Sequence, residues 1–360
     1  VLLLTLWLTL PSVAGAELDF GGYYKNELLY IVNREGKGIV ADVNKLRLRL
    51  GADITSYLSI RVEPQYVNLI KSEQIPLLDE SEIDKVDFDR AYAEIFLPAA
   101  DITVGVQRVA WGTGYLWNPT DVFNPFALAF AIAEEERNGV DAVRVEVPLG
   151  NLSGLDFVVL TAGDLTKTKK GIRGKTNIGM FDYSMSYIAY GEDGSQVGFD
   201  ASGEIFGFGV RTEIAQIHTT NEAGTVKAIA GWNYTFENGL GVDIEYFFNG
   251  MGEKHEDNYD WNAYFSGELQ QLAHSYVYLG FSKLLDEITE ARLSFLVNAV
   301  DESFIVYPSY WRNLHENVDL FIEALIVSGA EGTEFKPDPA LDPTGFLGSN
   351  MYFAKLKFSF

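Results

Sequence analysis

Four histidines, His218, His255, His274 and His315, and not one cysteine supply the chain's side chains for soft metal ligation and neutral-pH base chemistry. No histidine stands in an HExxH or similar ligand spacing. Without cysteine there is no thiolate site, disulfide or thiol nucleophile. Gly112-Thr113-Gly114 lacks the strand–GxxxxGKS/T–helix context of a phosphate loop, and no GxSxG elbow presents a serine. An enzyme, a bound metal and a cofactor are therefore not expected.

Charge placement says more. Lys45, Arg47 and Arg49 alternate with Leu46, Leu48 and Leu50, and Arg61 and Glu63 with Ile60 and Val62. Arg144 and Glu146 alternate with Val143, Val145 and Val147; Arg211 and Glu213 with Val210 and Thr212; Asp243 and Glu245 with Val242, Ile244 and Tyr246. Arg292 alternates with Leu293, and Lys355 and Lys357 with Leu356 and Phe358, while Arg90, Glu94, Lys227, Asp319 and Glu323 belong to the same charged set. Period two of this kind means strands with one apolar and one charged face. If the apolar face meets lipid, the charged face lines a lumen. Taken singly, these residues read as cross-strand pairs that set register. Taken together they read as the wall of a hydrated pore, because side chains alone do not fill so wide a barrel. The wall is near neutral to slightly basic although the net charge is −24, which sends the surplus acid to loops and strand ends.

One stretch departs from the alternation. Residues 101–110 begin as a strand, and the chain breaks at Trp111 into a segment holding Trp117, Asp121 and several aromatics, closing on Glu134, Glu135, Glu136 and Arg137. A connection of about 25 residues is usually functional or disordered, and this one has too many aromatics for disorder. It is expected to fold inward, with a short helix over 126–133 and its acids facing the basic wall of Arg47, Arg49, Arg61 and Arg90. A loop that merely braces the rim fits the residues equally.

The elements that must position these groups are strands joined by turns at Gly, Pro and Asp/Asn clusters. They number eighteen, from 17–31 to 348–360, with sixteen also compatible; alternation is poorest over 167–178 and 196–202. Short turns alternate with long links, notably 71–83, 111–137, 251–272 and 330–347. The fold class expected is all-β, a single transmembrane antiparallel barrel. Aromatics near strand ends, Tyr23, Tyr24, Tyr30, Tyr92, Phe96, Phe247, Phe248, Tyr307, Tyr310 and Trp311, fit interfacial girdles. A secreted sandwich or β-helix shares the periodicity, but its polar face is usually mixed, and no fixed repeat is visible.

Residues 1–16, apolar and ending Ala14-Gly15-Ala16, read as a signal peptide truncated at its start, leaving 17–360 as the barrel. So acidic a chain does not suit nucleic acid. The run Gly105-Val-Gln107-Arg-Val109-Ala-Trp111-Gly112, leading into Asn118-Pro119-Thr-Asp121-Val-Phe123, resembles that of large outer-membrane β-barrel porins related to the alginate-export porins. The resemblance implies a channel of the bacterial outer membrane. Phe360, ending an alternating strand, resembles the signal read by the barrel-assembly machinery. The expected function is passive diffusion of small hydrophilic solutes, with anions favoured by the basic wall. Lipid and lipopolysaccharide are the expected surroundings, and monomer and trimer are both compatible. A barrel acting as sheath for a periplasmic or surface partner is the rival reading, and a soluble secreted β-protein a third.

Overall fold

Alternating apolar and charged residues are separated onto two faces only by extended chain, and the protein uses that solution throughout. The computed structural model describes residues 17–71, 84–124, 139–161, 168–220, 224–342 and 346–360. The strands are β1 (Glu17–Val32), β2 (Gly38–Thr55), β3 (Leu58–Lys71), β4 (Lys85–Phe96), β5 (Asp101–Gln107), β6 (Val140–Pro148), β7 (Gly154–Leu160), β8 (Lys170–Ile178), β9 (Phe181–Ala189), β10 (Gly194–Ile205), β11 (Phe208–Thr219), β12 (Thr225–Thr235), β13 (Leu240–Asn249), β14 (Ser275–Asp286), β15 (Thr289–Asn298), β16 (Phe304–His315), β17 (Val318–Ser328) and β18 (Asn350–Ser359). Each expected strand is present. The two with poor alternation appear as β8 and as a longer β10.

Every strand pairs antiparallel with its neighbours in sequence, and β18 returns to β1, so the sheet closes as an eighteen-stranded barrel. Closure removes the unpaired edge that an open sheet would expose. The seam runs from Val32 opposite Asn350 to Tyr23 opposite Ser359. It is extended by the Gly22 N–H donating to the Phe360 carbonyl (2.9 Å) and the Phe360 N–H to Gly22 (3.0 Å). A side chain on Gly22 would run into the Arg47 carbonyl and the Phe360 ring.

The outward face is apolar: Leu18, Phe20, Leu28, Leu50, Val104, Ile172, Ile214 and Leu293 are all exposed. One barrel end carries short turns, among them 97–100, 179–180 and 206–207, together with Glu17 and Phe360; the other carries the long links. Alternation corrects six of the ten expected girdle residues. Tyr24, Tyr30, Phe248 and Tyr310 lie on the outward face, whereas Tyr23, Tyr92, Phe96, Phe247, Tyr307 and Trp311 lie on the inward one, because neighbours along a strand point to opposite sides.

The inward face is not uniformly polar either. Toward the long-link end it is apolar, with Phe247, Tyr276, Leu296, Ile305, Leu325 and Phe353 buried in one cluster with loop residues Leu116, Trp117, Tyr259 and Leu272. Most of the inward charge lies in the lower part of the wall, with Lys71, Lys85 and Lys227 inward near the long-link end. The reason is that the long links fold in and need an apolar surface to pack on. Residues 1–16, the segment 126–133 and Glu134 to Arg137 lie outside the described residues.

Candidate functional site

The loop after β5 enters the barrel and follows the inner wall from β6 to β14. Trp111 is buried, meets Phe123 edge-on at 4.9 Å, and packs with Val109, Ala142, Val158 and Ile188. Its indole N–H donates to Asp156 on β7 (3.0 Å). Further along, Trp117 stacks on Phe247 at 5.1 Å, and Tyr115 lies 5.1 Å from Tyr278.

Two wall carboxylates hold the loop's backbone. Glu213 on β11 accepts from the N–H groups of Thr113 (2.5 Å), Gly114 (2.7 Å) and Thr120 (3.0 Å) and from the Thr120 hydroxyl (2.8 Å). Glu245 on β13 accepts from the N–H groups of Tyr115 (2.7 Å), Leu116 (2.9 Å) and Trp117 (3.0 Å). Both side chains are fully buried. A buried carboxylate needs several donors to offset its lost hydration, and successive backbone N–H groups make a concave anion site. Gly-Thr-Gly thus does cradle an anion, but the anion is the protein's own. The glycines are required by proximity: Gly112 sits at φ +92° against the Glu213 carboxylate, and a Cβ on Gly114 would collide with the Trp117 carbonyl. At the return, Lys169 donates to the Val122 carbonyl (2.9 Å), with burial lowering its pKa from the usual lysine range.

Below the loop, the inward charges pair. Arg47 binds Glu63 (2.8 Å from Nε) and Asp89; Arg90 binds Asp89 (2.9 Å), and Arg61 binds Asp53 (2.9 Å). Arg144 grips Asp156 (2.7 and 2.9 Å) and Glu146 (2.9 Å). Arg211 bridges Asp243 (2.6 Å) and Glu245 (2.7 Å), Arg292 binds Glu290 (2.9 Å), and Lys355 binds Glu323 (2.7 Å). Glu94 is inward on β4, and Arg49 is inward and exposed. Register places Lys357, Lys25 and Lys45 side by side on β18, β1 and β2, three like charges in one row.

The expected constriction, Glu134 to Arg137 against the basic wall, falls outside the described residues. The described part of the loop lies on the wall of β6–β14, and Arg47, Arg61 and Arg90 on β2–β4 already have carboxylate partners. Trp111 and Trp117 are anchors, and Asp121 caps the turn through the N–H groups of Phe123 and Asn124 (3.3 and 3.4 Å). Sequence reasoning missed Asp89, Asp156, Lys25, and the pair Arg173 and Asp200 (3.2 Å). Asp156, alternating with Leu155 and Phe157, carried a signal; Asp89 sits beside a register shift between β3 and β4, which breaks the pattern.

Near the rim, the links 250–274, 299–303 and the described stretch 329–342 are tied together. Glu334 accepts from Tyr276 (2.5 Å), the Leu272 N–H (3.0 Å) and Asn298 (2.7 Å), while Asp301 accepts from Tyr259 (3.0 Å) and the Glu334 N–H (2.8 Å). Burial, with Asp301 adding repulsion, pushes the Glu334 carboxyl up to about 7.

No family model matches the chain, and no curated protein matches it. Solved structures do share its fold. OpdQ of Pseudomonas aeruginosa aligns at TM-score 0.63 and 9% identity over 96% of this chain and 98% of its own. OccAB2 of Acinetobacter baumannii gives 0.64 and 7% over 96% and 98%. A mutant of the Rh. blastica porin gives 0.52 and 11% over 96% and 100%. At such identities the likeness is one of architecture, a closed antiparallel barrel.

Proposed function

We propose that the protein is a passive diffusion channel of a bacterial outer membrane for small hydrophilic solutes, with a preference for anions. The observation that carries it is one barrel with an apolar outside, a charged belt inside and a loop fastened within by Glu213 and Glu245. An apolar outer band suits lipid, and a charged inner belt suits water and ions. The porin architecture of the structural neighbours supports the same reading. Anion preference is supported by the row Lys357, Lys25 and Lys45, three cations side by side on the inner wall, of which Lys25 also pairs with Glu27 (3.4 Å). On this view Phe360 is read by the assembly machinery, and the chain's own loops take up the space that the sheath reading would give to a partner.

Planar-bilayer recording tests the channel. Stable openings are expected, and folded protein that never conducts would overturn the reading. A reversal potential in a salt gradient tests selectivity; a cation-selective sign removes the anion preference.

A further inference from the structure

The outward wall of β1–β4 holds a polar stripe that lipid cannot satisfy. Asn26, Asn44 and Asn68 stand opposite one another across β1, β2 and β3. Asn26 donates to Asp42 (2.6 Å) and Asn44 (3.0 Å), and Asn44 to Asp42 (3.1 Å). Asn68 donates to Asp84 (2.6 Å), which also accepts from Tyr66 (3.2 Å), and Tyr24 donates to Asn44. These side chains are on the outside, because Tyr24, Leu28, Tyr30, Val40 and Tyr66 on the same faces are exposed. Elsewhere among the described residues, outward charged side chains sit near strand ends: Asp141, Lys170, Lys283 and Arg312.

The stripe's height is set by its neighbours. Phe20 and Tyr30 are exposed outward aromatics on β1. The step between them rises roughly 25 Å at about 3.3 Å per residue and a tilt of about 40°, the height of a barrel's apolar band. Asn26 then lies roughly 10 Å below the upper boundary. Carboxamides and carboxylates at that depth are costly against hydrocarbon. The Oδ1 atoms of Asn26 and Asn68 accept no hydrogen bond among the described residues, and Asn44 has an amide hydrogen to spare.

The geometry points to a second copy of this chain as the occupant, packed stripe against stripe about a two-fold axis along the barrel. Carboxamides both donate and accept, so a row of them is its own complement, as a two-fold contact requires. Asp42 and Asp84 accept hydrogen bonds within each copy, from Asn26 and Asn44 and from Asn68 and Tyr66, which leaves the carboxamides to make the contact. The inference rests on the outward face meeting lipid.

The absence of cysteine makes the test direct. Asn44→Cys and, on the far wall, Ile172→Cys are reconstituted separately in phospholipid vesicles and oxidised. Non-reducing gels are expected to show at least tenfold more linked dimer for Asn44→Cys; equal yields overturn the contact. The triple variant Asn26→Leu, Asn44→Leu and Asn68→Leu should run as monomer on native gels while keeping the heat-shifted mobility of a folded barrel. A dimer that persists in it overturns the proposal. Co-purified lipopolysaccharide that EDTA releases, with no cross-link, overturns it in favour of a cation-bridged lipid. Protein that inserts and conducts but does not cross-link sinks the contact alone, whereas failure to insert sinks the membrane reading with it.

Discussion

At the residue scale, the infolded loop hangs on two carboxylates. Glu245 offsets its burial with three backbone N–H groups and Arg211, so truncating it leaves a buried guanidinium and three N–H groups short of partners. Glu245→Ala is expected to destabilise the barrel by about 3 kcal/mol or more, read as an earlier urea midpoint. The same variant should raise mean single-channel conductance and its open-state noise, since the loop loses its tether. Gly114→Ala should raise conductance by a different route, because its methyl displaces Trp117. Unchanged recordings in both would mean that the loop does not border the conducting path. None of these partnerships is legible locally: Glu213 and Thr113 are a hundred residues apart. What the sequence does show is the motif itself, Trp-Gly-Thr-Gly and Asn-Pro-Thr-Asp, whose glycines and turn residues are the loop's folding instructions.

At the element scale, the long links form a cap whose stability responds to pH through Glu334. Its carboxyl titrates near 7 in the folded cap against 4.5 for a free glutamate. The folded state therefore binds the proton more tightly. The stabilisation is fully present below about 4.5, falls as pH rises, and is lost above about 7, an effect on the order of 3 kcal/mol. Limited proteolysis of the cap is expected to speed up between pH 5 and pH 8. Glu334→Gln should flatten that dependence and resist cleavage at pH 8; a wild-type rate that slows with rising pH would contradict the assignment. The strands were legible because two-fold alternation is local. The cap was not, because it is assembled from three links brought together only when β13 to β18 are side by side.

At the scale of the whole molecule, closure and the lysine row set what the barrel is and what it would pass. Gly22→Val should hinder the seam by striking Phe360 and the Arg47 carbonyl, and a gel assay should show less heat-shifted, folded barrel. Lys25→Glu with Lys45→Glu should move the reversal potential toward cation preference, while Arg144→Lys, distant on β6, should leave its sign unchanged. By itself the sequence determined the strands and their two faces, which follow from the order of side chains along a few residues, and it pointed to a barrel of eighteen strands with sixteen left open. It also marked most of the inward charges. Only the tertiary structure decided which of them pair, that three lysines lie side by side, where the described part of the loop runs, and where polar side chains break the outward face. Those depend on register between strands far apart in the chain, and a local pattern carries no register.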